Sequence, residues 1–194
     1  MKKIPTIFKR EFRDDGTFTL LNELADGLDE TYLKSCIATV KWDGTPVMYD
    51  GKAWYKRFDL KPGRTLPEGA IPCQEAADPV TKHFPHWVPV TDAPSDKHLI
   101  EAIRNYEKWG SAQIAIGTYE AIGPHIQGNP YELNYNYLKY HGRDVMSDHS
   151  IEFTNLRSLL TETVIEGIVW WKDGKPVCKL KRTDFGLPWP VKGF

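Results

Sequence analysis

Four places in the chain hold residues whose types and spacing could do chemistry. Lys41-Trp42-Asp43-Gly44 sets an amine and a carboxylate two residues apart, at the end of the β-prone run Ile37-Ala38-Thr39-Val40. Glu120 ends an apolar run and is followed by Ala121-Ile122-Gly123-Pro124. Glu166-Gly167 opens Ile168-Val169-Trp170-Trp171. Lys179 and Lys181 flank Leu180, so in a strand both lysines emerge on one face. Three lysines and two carboxylates at strand ends suit group transfer through a covalent lysine adduct. A free lysine, with a pKa near ~10.4, is a poor nucleophile at neutral pH. Cationic neighbours and a metal disfavour its ammonium form. Fixed lysines and Mg²⁺ offset charge on a reacting phosphate while pyrophosphate leaves. Glu166 is a hard oxygen ligand for such a metal, Glu120 can accept hydrogen bonds from ribose hydroxyls, and an aromatic side chain can stack on a base.

Each piece alone has a plainer reading. Asp43-Gly44 suits a hairpin turn on geometry alone. Glu120 and Glu166 taken singly read as surface carboxylates, and Lys179 with Lys181 as a solvated strand face. The order of all four along the chain is what favours the chemical reading.

Positioning these groups requires strands. Residues 6–21 read as a strand, a turn at Asp14-Asp15-Gly16 and a second strand, Thr17–Leu21. Lys41 ends a short strand just before a turn into Pro46-Val47-Met48-Tyr49, and Asp50-Gly51 then leads as a hairpin turn into Ala53–Arg57. Residues 60–95 carry seven prolines (62, 67, 72, 79, 85, 89 and 94) and read as a long ordered loop that Phe84, Trp87 and Val88 allow to bury something. His98–Trp109 has helical spacing at Leu99, Ala102, Ile103 and Tyr106. Gln113–Ala121 reads as a strand, and residues 150–163 as a helix with Leu156, Leu159 and Leu160 on one face. Val164–Trp171 and Lys175–Lys181 read as a hairpin closed by Asp173-Gly174. Hairpins mixed with a few helices predict an α+β fold of antiparallel sheets flanked by helices.

Bulk composition narrows the class. At 41% hydrophobic and 12% aromatic, with seven tryptophans in 194 residues, the chain can bury a sizeable core. A net charge of -1 argues against a polybasic binder that holds nucleic acid by bulk charge, though not against a local basic groove. Cys36, Cys73 and Cys178 lack CxxC spacing, so neither a zinc ribbon nor a disulfide framework is expected. The basic N-terminus has no apolar signal region, and no stretch approaches the ~18 apolar residues of a membrane span. The expectation is a cytoplasmic protein without membrane partners.

In this order the motifs resemble those of the covalent nucleotidyltransferase superfamily of ATP-dependent ligases and capping enzymes. Lys41-Trp42-Asp43-Gly44 looks like its motif I, and Tyr119-Glu120 with Gly123-Pro124-His125-Ile126-Gln127-Gly128-Asn129 like its motif III. Glu166-Gly167-Ile168-Val169 looks like motif IV, and Lys179-Leu180-Lys181 like motif V. Pro46 stands where DNA ligases and capping enzymes usually carry arginine, and Gly44-Thr45 is similar to the RNA ligases. Pro72-Cys73-Gln74-Glu75, Asp78-Pro79-Val80-Thr81, His83-Phe84-Pro85, Trp87-Val88-Pro89-Val90, Gly128-Asn129-Pro130-Tyr131 and His141-Gly142 resemble the small 5′-to-3′ RNA ligase family of vertebrate type.

The resemblance implies one adenylyltransferase domain over 1–194, with an ATP-grasp-like nucleotide cleft. It implies ATP and Mg²⁺ (or Mn²⁺) as cofactors, and as partner an RNA with 5′-phosphate and 3′-hydroxyl ends. Lys41 would attack the α-phosphate and hold AMP. Asp43 would lie near the ribose or a metal-bound water, beside Gly44. Glu120 would contact the ribose, Glu166 would bind the metal, and Lys179 and Lys181 would contact the α-phosphate. Arg57 is the candidate for the arginine these enzymes carry after motif I, with Lys56 as its rival. Val40 stands where some RNA ligases carry an acidic residue that reads the adenine amine, which leaves ATP over GTP an inference. His141 is either catalytic or a helix cap. Lys172 to Arg182 forms a basic strip, in which Lys172 and Lys175 read as solvated. Trp42, Trp170 and Trp171 read as packing residues. Thirteen residues follow Lys181 in this sequence, so no OB domain is expected. A minimal DNA ligase and a non-catalytic nucleotide- or RNA-end-binding protein remain as alternatives.

Overall fold

The computed structural model describes residues 4–79, 82–110, 113–147 and 150–191. Val80 and Thr81 of the resemblance lie outside them. The strands are β1 (Phe8–Phe12), β2 (Phe18–Leu24), β3 (Ile37–Lys41), β4 (Thr45–Tyr49), β5 (Trp54–Leu60), β6 (Ile71–Pro72), β7 (Phe84–Pro89), β8 (Gly117–Ile122), β9 (Tyr137–Tyr140), β10 (Gly167–Lys172) and β11 (Lys175–Lys181). The α-helices are α1 (Glu30–Lys34), α2 (Lys97–Trp109) and α3 (Phe153–Glu162). The expected α+β class, with antiparallel sheets and few helices, is what forms. The chain divides into two compact units: a terminal unit, built from residues 4–42 and 142 onward, and a central unit, residues 43–141.

In the terminal unit, β1 and β2 form an antiparallel hairpin around Asp14-Asp15-Gly16. The Asp15 carboxylate accepts the Thr17 amide at 2.8 Å and Gly16 takes φ 80°, a conformation that suits glycine. A three-stranded antiparallel sheet runs in the order β11-β10-β3. Alternation sends Ala38, Ile168, Trp170, Cys178 and Leu180 to one face, where they form a core with Ile7, Leu33, Leu156 and Leu160. Leu156 and Leu160 stand one helical turn apart on α3, which is why that segment forms a helix against this core.

In the central unit, a six-stranded sheet runs β6-β7-β5-β4-β8-β9, each neighbouring pair antiparallel. Helix α2 lays Leu99, Ala102, Ile103 and Tyr106 on Val47, Tyr119, Ala121 and Leu138, the i, i+3, i+4, i+7 stripe seen in the sequence.

Three expectations change. The 60–95 stretch is not a loop throughout: it contributes β6 and β7. Proline density hid β7, yet its backbone still serves the sheet, since Pro85 accepts the Cys73 amide at 2.9 Å. The strand expected from Gln113 begins at Gly117. The turn after Lys41 does not close a hairpin, because β3 and β4 belong to different sheets. Two elements were not anticipated. One is α1, five residues long and capped by Asp29, whose carboxylate accepts the Tyr32 amide at 2.8 Å. The other is β9, whose aromatic residues carry no clean alternation.

Candidate active site

The polar face of the terminal sheet is built by register. Gly167 stands opposite Lys41 on one side and Lys181 on the other, and Val169 stands between Thr39 and Lys179. Two residues along each strand return to the same face, so Lys41, Lys179 and Lys181 share it. Gly167, in the middle, has no room for a side chain: an added Cβ would stand 2.0 Å from the Leu180 carbonyl oxygen.

Glu166 precedes β10 and its carboxylate forms an ion pair with the Lys41 ammonium, with both groups mostly sheltered from solvent. Burial, and then the charges of Lys41 and Lys181, lower the pKa of Lys179 to about 8, against the opposing pull of Glu166 and Asp184. Its backbone is held on the side away from β10: Lys179 donates to the Pro5 carbonyl at 2.9 Å and accepts from Ile7 at 2.8 Å. The Lys181 amide donates to Asp184 at 2.7 Å, and Arg10 pairs with the same carboxylate at 2.6 Å. Buried Arg182 then anchors the strand end by donating to the carbonyls of Leu160, Thr163 and Pro188. The strand bearing the two lysines is thus tied down at its backbone while their side chains stay on the polar face.

The tryptophans flanking the lysines are engaged. Trp42 donates to Asp144 at 2.6 Å, Trp171 donates to Thr39 at 2.9 Å, and Trp170 is buried in the core. The Val40 amide donates to the Asp144 carbonyl at 2.9 Å. Two of the three cysteines, Cys36 and Cys178, lie in the same core, where burial pushes the Cys178 thiol up to about 12. All three thiols are free.

The central unit holds a second polar face. Trp87 pairs with Arg57, and Glu120 pairs with Pro46 and Lys139; the Val47–Lys56 register sets Arg57 beside Pro46. Trp87, Arg57, Pro46, Glu120 and Lys139 therefore make one row across the sheet, on the face opposite α2. The buried Glu120 carboxylate meets His141 Nε2 at 2.9 Å, and His141 Nδ1 meets the Thr118 hydroxyl at 2.9 Å. A neutral imidazole satisfies both contacts by donating to Glu120 and accepting from Thr118. His141 is therefore not a helix cap.

The same register separates Arg57 from Lys56. Lys56 points to the α2 face and forms an ion pair with buried Asp96, just before α2. Burial pushes the Asp96 carboxyl up, but the Lys56 hydrogen bond, the Thr91 amide and the Lys56 charge together hold it below the ordinary value. Arg57 lies on the Glu120 face and pairs with Asp59 at 3.1 Å. Gly44 is required by packing, since a Cβ there would stand 2.0 Å from the Ala121 carbonyl oxygen. The next residue back, Asp43, donates its amide to the Tyr131 hydroxyl at 2.6 Å.

Of the residues singled out in the sequence, Lys41, Glu166, Lys179 and Lys181 come together on the terminal sheet, and Arg57 and Glu120 on the central one, with Asp43 and Gly44 at the start of that unit. Three supporting residues were missed. Asp184 orders Lys181 by accepting its amide three residues back, and a lysine at that position gives no recognisable capping signal. Arg10 left no local signal, because its partner is 174 positions away. Tyr131 lies in the noticed Gly128–Tyr131 motif, but nothing in that motif points to Asp43.

Among the described residues on the polar face of the terminal sheet cations outnumber carboxylates, and a hard oxygen donor sits among them. Such a site offsets the charge of a bound phosphate. Mg²⁺ takes one or two carboxylates together with substrate phosphates and keeps several waters. Glu166 among three lysines fits that demand.

In sequence the chain resembles the RNA ligases. The family model described as RNA ligase 1 matches residues 111–194. Curated relatives are RNA ligase 1 of Danio rerio, 29% identical over 56% of this chain and 42% of the relative, and RNA ligase 1 of Pongo abelii, 29% identical over 71% of this chain and 53% of the relative. RNA ligase 1 of Mus musculus is 29% identical over 71% of this chain and 52% of the relative. The chain spans about half the length of the curated relatives it matches.

Proposed function

We propose that the chain is an ATP-dependent RNA ligase that works through a lysyl-AMP intermediate. The observation that carries the reading is the gathering of Lys41, Lys179 and Lys181 on one sheet face, with Glu166 against Lys41. In this reading the two units belong to one adenylyltransferase domain of ligase type, ATP-grasp-like, acting in the cytoplasm.

The Lys41 amine attacks the α-phosphate, a P–N bond forms, the bond to pyrophosphate breaks, and the amine's surplus proton leaves. The Glu166 carboxylate, already paired with Lys41, is placed to orient the amine. Lys179 and Lys181 hold the α-phosphate and offset its charge. Mg²⁺ (or Mn²⁺) would be held by Glu166, with Asp43 as a further candidate, and when bound supplies charge neutralisation. Glu120, oriented by His141, accepts from the ribose hydroxyls; Arg57 is preferred to Lys56 for the phosphates, because Lys56 is committed to Asp96. AMP then passes to a 5′-phosphate end, and a 3′-hydroxyl displaces it to close the strand. Val40 presents no acid to read adenine, so base selection rests on backbone groups.

The test is incubation with α-labelled ATP and Mg²⁺, followed by a denaturing gel. An acid-labile label that vanishes in Lys41→Ala is expected; label retained in that variant sinks the reading. Offering 5′-phosphorylated RNA and DNA strands, single and nicked, then chooses the substrate. Joining of DNA ends alone would favour a minimal DNA ligase, and absence of any label a non-catalytic end-binding protein.

A further inference from the structure

We propose that His98, Glu101 and His125 bind one borderline transition metal ion, Zn²⁺ or its like, on the central unit. His98 and Glu101 stand three residues apart near the start of α2, so both project from one side of the helix. His125 follows β8, in the turn where Gly123 accepts the Ile126 amide at 3.0 Å. One ligand atom from each of the three side chains lies within 4.8 Å of the others. The two imidazoles stack with centroids 4.1 Å apart and planes 7° from parallel, and His98 Nδ1 is 3.7 Å from the Glu101 carboxylate. Ligands about 2.1 Å from a tetrahedral ion stand roughly 3.4 Å apart, so ring rotations that draw them in by about an ångström complete the sphere.

Two further observations point to a ligand. His98 Nδ1 is buried without a hydrogen-bond partner, which leaves a polar atom uncompensated unless something binds it. Asn136 has no exposed surface, yet its side chain supports two of the three ligand residues. Its amide donates to the Glu101 carboxylate at 2.7 Å, and its side-chain oxygen accepts the His125 amide at 3.4 Å. Asn105 in turn donates to the Asn136 carbonyl at 2.8 Å. Gly123, at φ 143°, is what allows this approach: a Cβ there would stand 2.4 Å from the Asn136 side-chain oxygen. A buried amide that orients a ligating carboxylate is the outer-shell support a metal site uses.

The donor set decides the ion. Two imidazoles and one carboxylate suit Zn²⁺, Co²⁺ or Ni²⁺, whereas Mg²⁺ prefers oxygen ligands. Three protein ligands leave a position for water. The site lies on the α2 side of the sheet, while Glu120 and His141 occupy the opposite face, so it is separate from the ribose contact proposed above. A bound ion would tie the start of α2 to the 123–136 segment.

The test uses tag-free full chain, stripped with a chelator and kept in excess Mg²⁺. Titration with ZnCl₂ by calorimetry should show one equivalent bound and a higher Tm, because an ion that binds only the folded state stabilises it. CoCl₂ should give a visible d–d band. His98→Ala and His125→Ala should each weaken Zn²⁺ at least about tenfold and erase the band, and His125→Ala should keep the metal-free Tm of the parent. No stoichiometric Zn²⁺, or a Co²⁺ band unchanged in both variants, overturns the proposal, and the second result moves the ion to other donors.

Discussion

The two sheets treat their charged residues in opposite ways. On the terminal sheet, Lys41, Lys179 and Lys181 share a face where Glu166 is ion-paired to Lys41 and the Asp184 carboxylate is used by Arg10 and by the Lys181 backbone. Positive charge there exceeds what the side chains offset, and a half-buried lysine is pushed towards neutrality. On the central sheet the charges come in satisfied sets: Glu120 with His141, Lys56 with Asp96, Arg57 with Asp59. The first arrangement stores a demand for an anion. The second fixes side-chain positions without needing one.

Four experiments probe that contrast. The largest effect is expected at Lys41: Lys41→Ala should reduce covalent labelling to background while the far-ultraviolet circular dichroism stays that of the parent. Next, Lys179→Ala should slow labelling by about 10² to 10³-fold, the scale of losing one preorganised charge at a reacting phosphate. Lys179 also titrates near 8, and its ammonium is present below that value. Affinity for a non-transferable ATP analogue should therefore fall as pH rises through about 8, and Lys179→Arg should flatten the fall. An unchanged pH profile in that variant would show that another group controls phosphate binding.

The third experiment sets neighbours against each other. Asp96→Asn leaves Lys56 without its buried partner and should cost about 3 kcal/mol of stability by denaturant melt, with labelling retained below the melting range. The Asp96 carboxyl sits below its ordinary value, so its contribution is present above about pH 4 and is lost as pH falls through the folded-state value. Arg57→Ala should do the reverse, slowing labelling with little change in melting. If Arg57→Ala and Asp96→Asn have the same profile, the face assignment fails. The smallest effect is expected at His141→Ala, which frees the Glu120 carboxylate to turn; a rise in KM for ATP of about tenfold is expected, with kcat nearly kept. A fall in kcat alone would instead give His141 a part in the chemistry.

The contrast also shows where local reading stopped. The stripe Leu99, Ala102, Ile103, Tyr106 and the turns at Gly16 and Asp173-Gly174 read correctly because helix period and turn geometry act over a few residues. Strand β7 was missed because Pro85 and Pro89 argue against a strand until their sheet neighbours are known. Lys56 and Arg57 could not be told apart in the sequence, since adjacent residues on a strand differ only in the face they take, and the face is set by β4 and α2. Arg10 with Asp184, Tyr131 with Asp43 and Asn136 with Glu101 are pairings that no spacing announces.

What the sequence determined alone was the chemical inventory and its order: an amine at Lys41, carboxylates at Glu120 and Glu166, two lysines of one phase at 179 and 181, and glycines at 44 and 167 beside them. Residue type and strand period suffice for that, since both are local. The tertiary structure decided which of these groups meet. It put Gly167 between Lys41 and Lys181, gave Glu120 a histidine and turned Lys56 to the helix. It also made Gly44 and Gly167 necessary, because in each case a neighbouring strand's carbonyl occupies the place of a side chain. Register between strands far apart in the chain sets those contacts, and register is fixed by the buried faces of whole sheets rather than by any motif.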